Sequence, residues 1–309
     1  MDIKALRYFL AIVDYGSLTK AAEVVGVAQP ALSQQLTALE AEFDVQLLHR
    51  SSKGIALTNA GRVLYRHACT ILRQLSLASD DVKSIGAKIS GKVSIGLPPT
   101  VAARLVMPLI KAVRERFPEV RLQIFEGLNE YMLERFFNQR LDFIFLFRST
   151  GSQTIEALPL AQEALSLIGY PEQRLLRVDQ PDTAPIIPIE NLGSLPLVLP
   201  GNSQEGLRHQ IEEVFAQRSI DVNVVVELDS LKHLLECARE GLACTILPTS
   251  VLVGENANLP HYQIQPEIRR SLSLCWLRSA QLIPAAHAVK EVVQEITGQL
   301  VNTGELMSI

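Results

Sequence analysis

The stretch Ser17-Leu-Thr-Lys-Ala-Ala-Glu-Val-Val-Gly-Val-Ala-Gln-Pro-Ala-Leu-Ser-Gln-Gln-Leu-Thr-Ala-Leu-Glu40, followed by Leu47-Leu-His-Arg-Ser-Ser-Lys-Gly-Ile-Ala-Leu-Thr58, decides how the first part of this chain folds. Leu18, Ala21, Ala22 and Val25 recur at helical spacing, as do Leu32, Leu36, Leu39 and Phe43. Gly26 separates the two helices and can take the left-handed backbone of a tight turn, while the small Ala21 and Ala22 let the helices approach closely. Upstream, Leu6, Phe9, Leu10 and Val13 predict a further helix on the same core. With the basic Leu47–Thr58 hairpin behind them, these elements read as a winged helix-turn-helix.

The polar residues at the tip carry the chemistry. Pro30 falls in the first turn of the third helix, where a missing N–H costs nothing, and it turns Gln29, Ser33 and Gln34 outward. Glutamine can bond an adenine edge through two atoms, and serine can reach a base or a phosphate. Arg50 and Lys53, in the hairpin, suit phosphate or minor-groove contact. The implied partner is double-stranded DNA, with Gln29, Pro30, Ser33, Gln34, Arg50 and Lys53 as the contact set. The competing reading is a structural three-helix bundle whose polar face is merely solvated.

Composition narrows the partners. The 309 residues exceed a usual single core, and 48% apolar with 20% charged is the balance of a globular protein. A formal net charge of −4 excludes a polycation that coats nucleic acid, so any DNA contact must be local and repeated by self-association. Tyr8 to Val13 is one short apolar run ended by Asp14, so neither a signal peptide nor a membrane span is expected, and the compartment read from this is the cytoplasm. Cys69, Cys237, Cys244 and Cys275 form no Cys-x-x-Cys pair and are expected as reduced thiols.

From Leu64 the series Leu64, Ala68, Ile71, Leu75, Ala78, Val82, Ile85 and Ile89 alternates steps of four and three, which is the period of a coiled-coil seam. A helix from Asn59 to about Lys88, capped by Thr58, would extend about 45 Å at 1.5 Å per residue and outrun the small N-terminal core. Its stripe therefore needs a second copy of the chain, or else an intrachain partner. The dimerisation set is Leu64 to Ile85 of that series. Ser90-Gly91 then supplies a hinge.

Beyond Gly91 strands and helices alternate. Lys92–Leu97, Val120–Phe125 and Phe143–Phe147 read as strands around helices at Val101–Arg116 and Glu130–Asn138, a βαβαβ unit with a parallel sheet. A second unit follows, with strands at Ala164–Gly169, Leu195–Leu199, Val222–Glu227 and Cys244–Leu247 and helices at Gln204–Gln217 and Ser230–Glu240. The chain returns through Ser271–Leu277 and a last helix, Pro284–Leu300. Two α/β lobes with a returning chain leave a cleft, and ligands of such sheets sit beyond the strand ends against helix N-termini. Pro98-Pro99-Thr100, Gly127-Leu128-Asn129, Pro200-Gly201-Asn202-Ser203 and Asp229-Ser230 occupy those positions, which suit a small carboxylate; taken singly, each also reads as a helix cap.

The Ala21-to-Glu40 pattern closely resembles the DNA-binding domain of LysR-type transcriptional regulators. Phe117-Pro-Glu-Val120, Glu126-Gly127, Leu141-Asp142 and Gly241-Leu242 through Leu247-Pro248 resemble landmarks of that family's effector domain. The resemblance spans essentially the whole chain. It implies an α/β fold class with an N-terminal winged helix-turn-helix at 1–58, a long linker helix at 59–89 and a two-lobed periplasmic-binding-protein-like effector domain at 90–309. Lobe I would take about 92–161 and 268–309, and lobe II about 162–267.

It further implies a dimer through antiparallel linker helices, a dimer of dimers, promoter DNA and RNA polymerase as partners, and effector contacts from Thr100, Asn129, Gly201, Asn202 and Ser203. Two departures in the reading head are Val25 for leucine and Ala28 for a capping Ser or Thr, the latter expected to cost about 1 kcal/mol. Within the family, Val93-Ser-Ile-Gly96, Pro108-Leu109 and Asn138-Gln-Arg-Leu-Asp142 look most like the nitrogen assimilation control branch. That likeness implies a regulator acting without a small effector.

Catalysis finds little support, since no Gly-x-Ser-x-Gly, Walker or dinucleotide loop occurs, and no cofactor or metal is expected. His233 and Cys237, four apart on one helix, offer only two convergent ligands. The Asn202–Arg208 loop, where the family's peroxide-sensing branch keeps a reactive cysteine, has none. A rival class, a two-lobed solute-binding protein, would use the same cleft but has no need of a reading head.

Overall fold

The computed structural model describes residues 1–51, 54–84, 88–127, 129–147, 153–177, 185–201 and 206–308. It divides into two compact units, Met1–Lys88 with Phe137–Arg140, and Ile89–Phe136 with Leu141–Ile309.

The first unit contains α1 (Ile3–Tyr15), α2 (Leu18–Val25), α3 (Gln29–Phe43), the hairpin β1 (Leu48–Ser51) and β2 (Gly54–Leu57), and α4 (Asn59–Ser84). Its start signals lie where the sequence places them. Asp2 accepts a bond from the Ala5 amide at 2.6 Å and caps α1, Ser17 caps α2 through the Lys20 amide, and Gly16 and Gly26 take the left-handed conformation with φ of 60° and 71°. Ala28 makes no side-chain cap to α3, in line with the substitution noted above. Phe9, Ile12, Ala21, Leu32, Leu36 and Leu47 build one shared core against which Leu64 and Tyr65 of α4 pack.

Glu40 ties the wing to α3, because its Oε1 accepts from the amides of Leu47 and Leu48 at 2.9 and 3.3 Å. Thr58 closes the hairpin, bonding the Gln46 carbonyl at 2.8 Å and accepting from the Gly61 amide at 2.9 Å as the cap of α4.

On α4 the apolar series divides in a way the period alone does not disclose. Ala68 is 0% exposed and Leu64 packs on the N-terminal core. Within one chain, then, Ala68 has no exposed surface and Leu64 is half-buried. Ile71, Leu75, Ala78 and Val82 remain exposed, Val82 at 70%, and Ile85 lies outside the described residues.

The second unit contains β3 (Gly91–Leu97), α5 (Pro99–Arg116), β4 (Val120–Glu126), α6 (Asn129–Phe137), β5 (Phe143–Leu146), β6 (Ile155–Ile168), β7 (Ile186–Pro188), β8 (Leu197–Leu199), α7 (Leu207–Gln217), β9 (Val224–Glu227), α8 (Leu231–Arg239), β10 (Thr245–Pro248), β11 (His261–Gln265), β12 (Arg269–Leu277) and α9 (Pro284–Asn302). β3 pairs in parallel with β4 and β5, as the βαβαβ reading requires. The second lobe differs from its reading. β6 is antiparallel to β10, β11 and β12, and the parallel ladders there are the short pairs β8–β9 and β7–β11.

β6 is also far longer than the Ala164–Gly169 segment expected. Pro159 lies beside a register shift that falls between Leu272 and Ser273 of β12, and such an irregularity is one of the few places where a strand tolerates proline. The strands β6 and β12 run together through both lobes.

Candidate functional site

The polar face of α3 is continuous. Gln29, Pro30, Ser33, Gln34 and Thr37 line one shallow concavity on the exposed side of the helix, opposite the buried Leu32, Leu36 and Leu39. The steps of three and four that put the leucines into the core also put these polar groups on one side. Thr37 was absent from the sequence-derived set. Its hydroxyl donates to the Ser33 carbonyl at 3.0 Å, and the i, i+4 spacing from Ser33 was the available signal. Arg50 is exposed on β1, opposite Ile55 in the hairpin register, and Lys53 lies outside the described residues.

In the second unit a small cavity of ≈ 70 Å³ opens among Pro98, Thr100, Phe147, Gly201, Asp229 and Arg270. Pockets for drug-sized ligands run to ~300–1,000 Å³, so the space fits only a small guest. Two of the expected contacts line it, and both are engaged by the chain itself. Thr100 Oγ1 accepts from Arg270 Nη2 at 3.0 Å, and the Gly201 amide donates to Asp229 Oδ1 at 3.2 Å. A Cβ at position 201 would stand 2.4 Å from that carboxylate oxygen, so a side chain there would make the Asp229 carboxylate shift. Asn129 opens α6, with its side chain outside the described set; Asn202 and Ser203 lie outside the described residues.

Arg270 is the group that sequence reasoning missed. It is 5% exposed, stands directly opposite Glu163 in the β6–β12 register, and forms a charge pair with it. The Phe147 ring centroid lies 3.5 Å from the guanidinium carbon. Burial pulls the Arg270 pKa below its ordinary value, and the adjacent Glu163 carboxylate pushes it back. Neither residue falls in a motif, and their 107-residue separation hides the pairing from any local pattern.

The thiols are poorly disposed to redox work. Burial pushes Cys244 and Cys275 up to about 11 and raises Cys69 as well, which keeps the reactive thiolate scarce at neutral pH. Cys69, Cys244 and Cys275 are buried and Cys237 is half-buried. In the native protein Cys237 is expected to react with a thiol reagent first and the other three only on unfolding, as a timed alkylation read by mass spectrometry would show. Rapid native labelling of Cys244 would contradict this account. Among the described residues no group of three or more His, Cys, Asp or Glu is placed to hold a metal, and no helix is long and apolar enough to cross a membrane.

Comparison with known proteins agrees with this layout. Residues 3–62 match the bacterial regulatory helix-turn-helix protein family, lysR type, and residues 86–297 match the LysR substrate binding domain. The chain is 35% identical over 300 residues to the nitrogen assimilation regulatory protein nac of Escherichia coli K12, covering 96% of this chain and 95% of that protein. It is likewise 35% identical over 303 residues to nac of Klebsiella aerogenes, covering 97% and 96%. Both relatives are regulators by name.

Among solved structures, full-length CbnR in complex with its target DNA superposes with a TM-score of 0.68 at 22% identity, over 96% of this chain and 100% of that one. A full-length OxyR variant from Pseudomonas aeruginosa gives 0.71 at 22% identity, over 96% and 94%. At such identities these two speak for the fold alone. With a lysR helix-turn-helix at one end, a LysR substrate-binding domain over most of the remainder and regulator relatives along nearly its full length, the chain belongs to the LysR family of DNA-binding transcriptional regulators.

Proposed function

We propose that α3 is the recognition helix, with Gln29, Ser33, Gln34 and Thr37 at base edges in the major groove and Arg50 and Lys53 of the hairpin on phosphate. The observation that carries this is the unbroken polar face of α3, exposed on a helix whose opposite side is locked into the core by leucines. The complex of CbnR with its target DNA supports the same use of the fold. The protein acts in the cytoplasm, without catalysis, on promoters that include genes of nitrogen metabolism, as its likeness to nac suggests. RNA polymerase is its further partner. Two copies join through the exposed stripe of α4, and dimers pair, so that the target holds two half-sites related by a dyad and spaced by whole helical turns.

Gln34→Ala is the direct test. A well-formed bidentate contact contributes about 1–3 kcal/mol of discrimination, so the variant should lose roughly tenfold or more in its preference for operator over random duplex. Its affinity for random duplex should stay near that of the parent, because phosphate contacts are intact. Fluorescence anisotropy on both duplexes at matched salt reads the two affinities. Equal losses on both would contradict the assignment.

For the cleft, the reading as a regulatory cavity for a small anion at Thr100, Asn129 and the Gly201–Ser203 loop stands beside regulation without an effector. One observation favours the second: Thr100, Gly201 and the buried guanidinium that would receive an anion are already bonded within the chain.

A further inference from the structure

The buried Arg270 is unusual in its setting. A paired charge inside a protein is costly to desolvate, and apolar residues of similar volume would hold two strands together at least as well. Here the pair lies beside a cavity rather than in a closed core. Arg270 lines that cavity, while Glu163, 6% exposed, approaches the guanidinium from the neighbouring strand. The carboxylate is itself held, since Ser250 donates its hydroxyl to Glu163 Oε2 at 2.9 Å. Thr100 bonds the guanidinium from the first turn of α5, and Phe147, just after β5, stacks on it. Ser250 follows β10, so this one cluster ties together α5, the end of β5, β6, β12 and the turn after β10.

A guanidinium stacked on an aromatic ring, with a hydroxyl alongside, is a carboxylate receptor by its chemistry. The same logic repeats at the rim, where the carboxylate of Asp229 takes the Gly201 amide. Among the described residues the Arg270 guanidinium and the Gly201 amide thus each hold a carboxylate of the chain, and Asp229 adds a negative charge to the cavity wall. An anionic guest would enter against that charge and find the positive group neutralised.

We infer that Arg270 is a carboxylate-binding residue whose resident ligand is Glu163, so that the cleft is self-liganded and admits a small monocarboxylate only when that side chain is removed. This rests on reading the cavity as the regulatory cleft, and is independent of how α3 reads DNA.

The test uses the full chain and three probes, formate, acetate and propionate, each compared with chloride at equal ionic strength. Thermal melting and calorimetric titration are run on the parent, on Glu163→Ala and on Glu163→Ala combined with Arg270→Met. The parent should show no saturable binding. Glu163→Ala should melt lower, regain much of the loss in acetate or formate, and bind them at least about tenfold more tightly than the parent, a modest demand on the attraction of an unpaired guanidinium. The double variant should respond to none of them.

Saturable binding to the parent that Arg270→Met abolishes would overturn the inference, as would a folded Glu163→Ala variant indifferent to all three probes. Should Glu163→Ala not fold, Glu163→Ser still empties the place of the carboxylate beside Arg270 and leaves a small polar side chain in the strand. It must then bind formate where the parent does not, and failure to do so counts equally against the inference. Operator binding measured on the parent in parallel separates the two questions: loss there would sink the reading of α3 and leave the carboxylate result untouched.

Discussion

Leu75→Glu is expected to abolish self-association and, with it, tight operator binding, while leaving the second unit folded. Leu75 is 40% exposed in the single chain, in line with Ile71, Ala78 and Val82 on the outer side of α4. Among the described residues none covers this stripe as Ala68 is covered, so its surface is open to a second helix. Burying a leucine contributes about 1.5–3 kcal/mol, and in a symmetric pair the change is made twice.

Glutamate removes that gain and adds the cost of drying a carboxylate or of protonating it. A combined loss of roughly 4 kcal/mol or more weakens the dimer about a thousandfold. Sedimentation velocity at micromolar protein should then report monomer, and operator affinity should fall toward that for random duplex. Intact assembly would remove α4 from the interface and leave the exposed stripe without an occupant.

Gly61→Ala should be nearly as severe, for a reason that no pattern discloses. Gly61 lies in the first turn of α4, where the helix meets the segment that enters the wing. A Cβ there would stand 2.0 Å from the Leu47 carbonyl oxygen and 3.0 Å from both the Leu47 carbonyl carbon and Leu57 Cδ2. The obstacle is backbone, which cannot rotate away. That backbone is pinned by Glu40 on one side and by Thr58 on the other.

Either the hairpin moves with Arg50 or the α4 start unwinds, and overpacking of this kind costs about 3 kcal/mol. The full chain should show a lower urea midpoint for its first transition by circular dichroism, with operator affinity reduced well before the protein unfolds. A variant with the parental midpoint and affinity would mean that the helix and hairpin separate more easily than their contacts imply.

The reading head was legible because its information is local. Gly26, Pro30, Thr58 and the leucine spacing each act within a few residues, so turn, helix starts and buried face could be written down from the chain alone. The same holds for β3, α5, β4 and α9, whose boundaries came within two residues of expectation. The long first half of β6 was not legible, because Pro159 reads as a strand breaker until its irregular register with β12 is known.

The seam on α4 was half legible. A period of 3.5 identifies an apolar stripe, but which part of it meets the chain's own core depends on where the other helices lie, as the packing of Leu64 on the N-terminal core shows.

What can be deduced from order along the chain is therefore the class of protein and the polar, exposed face of α3, since helical periodicity is a property of neighbours. What waited for three dimensions was the state of the cleft. Its positive group, Arg270, meets Glu163 only because β6 and β12 run antiparallel, and Thr100 and Phe147 reach it only once α5 and β5 have packed. Electrostatic pairing falls off with distance in space and is indifferent to distance along the backbone, so no periodicity could have announced it.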